Sequence, residues 1–163
     1  MSYTIGVDPG LKGAWALWQV KGALLPGRLL AVWPFELESD TLIDLRQVRK
    51  TAISSRLVSL GVRGVAVEYP NAMPGEGVTS AFNFGASCNG LVGVFIGMGY
   101  PVVRVPPAVW KRQMGAPRDK LEVCKFAADR YPDFYEQFIG PRGGAIDGPA
   151  EAALIAEWAE RLK

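Results

Sequence analysis

Four carboxylates stand out by where they fall. Asp8 follows the apolar run Tyr3 to Val7, and Glu68 closes the run that begins at Arg63. Asp147 and Glu151 lie one helical turn apart in the last apolar segment. At 100° steps Leu154, Ile155, Trp158 and Leu162 form one stripe; Glu151 falls in its middle, with Asp147 a turn earlier on the same side. A buried, unpaired carboxylate costs several kcal/mol, so Glu151 needs a partner. Glu157 and Glu160 fall on the opposite side, where a helix keeps solvated charges. The chain contains no histidine, which removes Ser-His-Asp and Cys-His hydrolases and His-ligated zinc or haem. Acid-base or metal chemistry therefore rests on carboxylates. If the four converge, they cannot all ionise without cations between them. Oxygen-only donors suit Mg²⁺ or Mn²⁺, and two such ions ~4 Å apart activate water and stabilise the leaving oxygen of a phosphodiester. Taken singly, Asp8 is also the acid of an Asp-Pro-Gly turn and Glu68 a strand-end charge. Asp147 is equally a helix cap, with Glu151 paired to an arginine.

Convergence depends on the elements that carry them. Strands are predicted over Tyr3–Val7, Gly13–Val20, Arg28–Trp33, Arg63–Glu68 and Pro101–Val105, with breakers at Asp8-Pro9-Gly10, Lys21-Gly22 and Leu25-Pro26-Gly27. Helices are predicted over Thr41–Leu60, Thr79–Gly97, Pro106–Met114, Asp119–Tyr131 and Pro149–Leu162, with Pro132–Ile146 irregular. Two residues before Asp8 and Glu68 stand Gly6 and Ala66, small side chains on the same sheet face that leave room for the Ala-rich last helix. The order β-β-β-α-β-α-β-α-α-α predicts an α/β fold, a mixed five-stranded sheet with helices on both faces. That pattern resembles the ribonuclease H-like arrangement.

The 163 residues, 49% of them apolar, are enough for one domain spanning 1–163 and too few for two. Cys88 and Cys124 form no CxxC, and a reducing cytoplasm is expected. No basic leader opens the chain, and the longest apolar stretch, Leu91 to Val103, is broken by glycine and proline, so no membrane anchoring is expected. The net charge is only +2, yet Arg104 to Lys125 holds six basic residues against two acids. Such a local excess is either a solvated face or a surface for phosphates.

Four segments carry a resemblance to a family: Ile5-Gly6-Val7-Asp8-Pro9-Gly10-Leu11-Lys12-Gly13-Ala14; Val65-Ala66-Val67-Glu68; Pro106-Pro107-Ala108-Val109-Trp110-Lys111; and Asp147 through Ala156. In this order and spacing the sequence resembles the RuvC-like Holliday junction resolvases, above all the compact phage and prophage type. The resemblance implies a ribonuclease H-like fold, a homodimer, and Mg²⁺-dependent symmetric nicking of a four-way DNA junction, with Mn²⁺ as a substitute. Carried over, Asp8, Glu68, Asp147 and Glu151 are the catalytic and metal-binding set. Many members have two Asp three apart at the last site, whereas Asp147 and Glu151 are four apart; both spacings share one helix face. The protein is then expected in the cytoplasm, of a bacterium or of a phage host.

Lys12, Lys111, Arg112, Arg118, Lys120 and Arg142 are the candidate DNA contacts, with a flexible surface role the alternative for Lys12. Trp110 reads as a core anchor rather than a base-stacking platform. Tyr69, Met73 and Phe82 are candidates for opening the junction, each equally able to serve the core. The stretch from Val78 to Val103 carries no charge and includes Gly85, Gly90, Gly93 and Gly97, so the helix there is expected at a dimer interface or on the sheet. Rival readings are a ribonuclease H-like nuclease acting on RNA-DNA hybrids and a non-catalytic junction-binding module. An actin-like ATPase needs two such domains and more than this length.

Overall fold

The computed structural model describes residues 1–69 and 77–162. β1 (Tyr3–Asp8), β2 (Ala14–Gln19) and β3 (Arg28–Pro34) form an antiparallel meander; β6 (Val62–Glu68) and β7 (Val102–Val105) add in parallel beyond β1. The sheet order is β3-β2-β1-β6-β7, the predicted mixed five-stranded sheet. Its central strands are covered on both faces, which explains runs that are apolar throughout rather than alternating. Ile5, Val7, Val65 and Val67 point to one side, packing with Leu91, Val92 and Phe95 of α2 (Val78–Gly97) and with Val48 and Ala52 of α1 (Leu45–Ser54). Ala14, Ala16 and Ala66 point to the other, beneath α3 (Pro107–Met114), α4 (Lys120–Arg130) and α6 (Asp147–Trp158).

The small residues beside Asp8 set how near α6 comes. A Cβ on Gly6 would fall inside the backbone of Ala152, Ile155 and Ala156, so α6 lies on β1 with main chain against main chain. Thr4 Oγ1 locks that contact by donating to the Ala156 carbonyl at 2.7 Å. Because residues two apart share a face, the stretch Thr4, Gly6, Asp8 aims Asp8 along α6.

Three expectations need correction. The helix predicted over Thr41–Leu60 is shorter. Leu42–Ile43 is β5, paired with β4 (Leu37–Ser39), and the helix begins only after Asp44, whose carboxylate accepts from the Arg46 and Gln47 amides. It stops before Arg56, which takes a left-handed conformation at φ 56°. Leu57 and Leu60 matched the helical spacing because a 3₁₀ turn also brings residues three apart to one side. The segment Pro132–Ile146, read as irregular, holds a 3₁₀ turn, α5 (Tyr135–Phe138) and an Ile139–Ala145 bridge; Phe138 is fully buried and packs on Phe134 and Tyr131. Glu157 and Glu160 are not solvated as expected. Glu157 accepts from Arg130 Nε at 2.6 Å and from the Tyr131 hydroxyl; Glu160 accepts from Trp18 Nε1 at 2.8 Å. The helix is sandwiched between the sheet and α4, so neither face is free for solvent.

Candidate active site

β1 and β6 run parallel as neighbours, so Asp8 and Glu68 emerge at the same carboxyl end of the sheet. After Asp8 the chain turns through Pro9-Gly10, closed by Gly13 N–H to the Gly10 carbonyl at 2.8 Å, while the Gly10 amide donates to Asp8 Oδ1 at 3.2 Å. Gly13 and Gly148 are demanded by proximity. A Cβ on Gly13 would strike the Asp8 carbonyl, and one on Gly148 the Lys12 carbonyl. The first turn of α6 therefore rests on the turn that follows Asp8.

This packing brings Asp8, Glu68 and Glu151 together: one carboxylate oxygen from each lies within 4.8 Å of the others. Each also has a fixed neighbour on α3 or in the turn. Trp110 Nε1 donates to Glu68 Oε2 at 2.6 Å, and Lys111 Nζ meets Glu151 Oε1 at 2.6 Å with both side chains under one-fifth exposed. Asp147 is not among the three; its Oδ2 pairs with Lys120 Nζ at 2.6 Å. Burial, then the charges of Glu68 and Glu151, push the Asp8 carboxyl up to about 8. Burial and the Glu151 charge push Glu68 up to about 7, against the Trp110 hydrogen bond and the Lys111 charge that pull it down. At Asp147 burial works upward, but the Lys120 hydrogen bond, a backbone hydrogen bond and the charges of Lys120 and Lys12 together outweigh it and hold the carboxyl below its ordinary value. Cys88, on α2, is pushed up to about 12 by burial and by the Asp8 and Glu68 charges, so it remains a thiol.

Two carboxyls that resist ionisation beside a third acid are the signature of a place short of positive charge. Oxygen donors alone, at this spacing, fit a hard divalent cation such as Mg²⁺ or Mn²⁺.

The predicted DNA contacts divide. Lys111 and Lys120 are engaged with Glu151 and Asp147, whereas Lys12, Arg112, Arg118 and Arg142 are exposed. Lys12 also lines a cavity of about 380 Å³ with Thr41, Asn83, Phe84 and Ser87, beside the Asp8 turn. Phe82 is 74% exposed on α2; Tyr69 is half-buried, with the Arg104 guanidinium 5.4 Å over its ring. Met73 lies outside the described residues. Sequence reasoning missed Trp110 as a partner of Glu68. The available signal was its position: β7 delivers the chain beside the end of β6, and α3 starts two residues later.

The sheet order and the helices on both faces make this a ribonuclease H-like fold, with acidic residues at the carboxyl ends of its central parallel pair. Within that class the fold is the RuvC type. RuvC of T. thermophilus, solved in complex with Holliday junction substrate, superposes with a TM-score of 0.68 at 20% identity, over 96% of this chain and 91% of that one. A second Thermus thermophilus RuvC structure gives 0.61 at 19% identity, over 98% and 96% of the two chains. The fowlpox virus Holliday junction resolvase gives 0.56 at 17% identity, over 99% of both. No protein-family model matches the sequence, and no curated protein does.

Proposed function

We propose that this chain is a metal-dependent endonuclease that resolves four-way DNA junctions by paired, symmetric nicks. The observation that carries the reading is the convergence of Asp8, Glu68 and Glu151 within 4.8 Å at the sheet end of a RuvC-type fold. Those three, with Asp147 on the same helix face, would hold two Mg²⁺ ions, Mn²⁺ substituting. Bound there, divalent ions supply Lewis acidity that lowers the pKa of water and stabilises the leaving oxygen of a phosphodiester. The protein's part is placement. β1 and β6 fix two carboxylates on rigid strands, α6 brings the others, and Lys111 holds Glu151 beside them while Lys120 pairs with Asp147 at the exposed edge of the site.

Lys12, Arg112, Arg118 and Arg142 would hold backbone phosphates, giving affinity that falls with salt. Phe82 and Tyr69, with Met73, are our candidates for holding the junction open. Paired nicks need two active sites, and we assign the dimer contact to α2, where Val78, Phe82 and Ile96 are exposed on a helix without charge. No helix among the described residues is long and apolar enough to cross a membrane, and we place the activity in a bacterial or phage-infected cytoplasm.

The test is cleavage of a labelled four-way junction beside linear duplex and RNA-DNA hybrid, with Asp8→Asn and Glu151→Gln as controls. Symmetric nicks confined to the junction and lost in both variants are expected. Cleavage of the hybrid instead moves the protein to ribonuclease H-type activity, and binding without cleavage makes it a recognition module.

A further inference from the structure

Trp110 is fully buried in the core layer beneath α3, where its ring alone would satisfy the packing. Its N–H does something more specific. It donates to Glu68 Oε2 at 2.6 Å, a contact made across 42 residues of sequence. The same ring lies 5.3 Å from Lys111 Nζ, the ammonium that holds Glu151. Two of the three converging carboxylates are thus braced by one indole, Glu68 directly and Glu151 through Lys111.

We propose that Trp110 is a positioning residue: its N–H occupies one Glu68 oxygen and so presents the other to the cation shared with Asp8 and Glu151. The inference rests on the reading that these carboxylates hold a divalent ion. A free Glu side chain has three rotatable bonds and would lose that freedom only on binding the ion. The Trp110 hydrogen bond removes it beforehand, on a ring locked by its neighbours. Hydrogen-bonded partners of metal ligands commonly change metal affinity or activity by about 10–100-fold when removed.

The alternative is that Trp110 merely fills the core and donates to the nearest acceptor, as Trp158 does to Gln113 Oε1 at 2.7 Å. Trp158→Phe is therefore the matched control. It removes an indole hydrogen bond from the same core and leaves the carboxylates alone. Trp110→Phe keeps an aromatic ring, and a benzothienylalanine at position 110 keeps the bicyclic shape while replacing N–H by sulfur, which covers the case in which Phe destabilises the fold.

Three readings are compared across wild type, Trp110→Phe, the sulfur isostere and Trp158→Phe: Mn²⁺ affinity by calorimetry, the melting temperature without metal, and the indole ¹⁵N–¹H resonances during a Mg²⁺ titration. The Trp110 resonance, identified by its absence in Trp110→Phe, is expected to shift saturably with Mg²⁺ while that of Trp158 stays in place. Mn²⁺ affinity should fall about 10-fold or more in both position-110 proteins and stay within about 2-fold in Trp158→Phe. Wild-type affinity in the sulfur isostere overturns the proposal and leaves the metal site standing. If the wild-type protein binds neither ion, the underlying reading fails and the proposal with it.

Discussion

Asp8 and Glu68 carry a cost that a proton or a cation relieves, and it has a sign that can be measured. Both carboxyls sit well above their ordinary values, at about 8 and about 7, because burial and mutual repulsion disfavour the charged forms. In the unfolded chain they ionise near pH 4. Below that pH both states are protonated and no penalty applies. Between about pH 4 and 8 the folded state keeps protons that the unfolded state has released, so stability falls as pH rises. Each pH unit costs about 1.4 kcal/mol per retained proton. Without metal, the melting temperature should therefore drop steadily from pH 5 to pH 8, and saturating Mg²⁺ should flatten that slope. Calorimetry with EDTA and with Mg²⁺ across this range checks it; a flat metal-free profile would contradict the electrostatics of the cluster.

The interface of β1 and α6 decides whether the carboxylates meet. Gly6 is the contact point, since any Cβ there must displace the backbone of α6. Gly6→Ala is expected to cost about 3 kcal/mol in urea unfolding and to weaken Mn²⁺ binding as well, because Glu151 moves with the helix that is pushed away. Loss of stability with unchanged metal affinity would mean that α6 shifts without carrying Glu151. The sequence foretold this contact from Gly6 and Ala66 standing two residues before the acids. It did not foretell where helices end. Asp44, Arg56 and the 3₁₀ turn at Leu57–Ser59 act through hydrogen bonds and backbone dihedrals that hydrophobic spacing does not record.

For the whole molecule, the uncharged helix α2 has one side on the sheet, through Leu91, Val92 and Phe95, and another carrying Val78, Phe82 and Ile96 into solvent. Gly93 opens onto empty space, so a side chain there disturbs nothing within the fold. Gly93→Arg should abolish the proposed dimer in sedimentation while leaving Mn²⁺ affinity unchanged. Junction cutting in that variant should lose its pairing and yield single nicks. A wild-type protein that sediments as a monomer with paired nicks would remove α2 from the account.

What the sequence determined by itself was local: which runs are buried strands, which turns follow them, and that four acids stand at strand ends or on an apolar helix face. Those features depend on near neighbours and on periodicity, and the five strands with Asp8 and Glu68 at their ends followed from them. Tertiary structure alone decided the pairings: Trp110 with Glu68, Lys111 with Glu151, Lys120 with Asp147, and Arg130 and Tyr131 with Glu157. It also set Asp147 apart from the three acids that converge. The physical reason is that a hydrogen bond or ion pair is chosen by distance in space. Residues 26 to 42 positions apart come within reach only once α3, α4 and α6 have packed on the sheet.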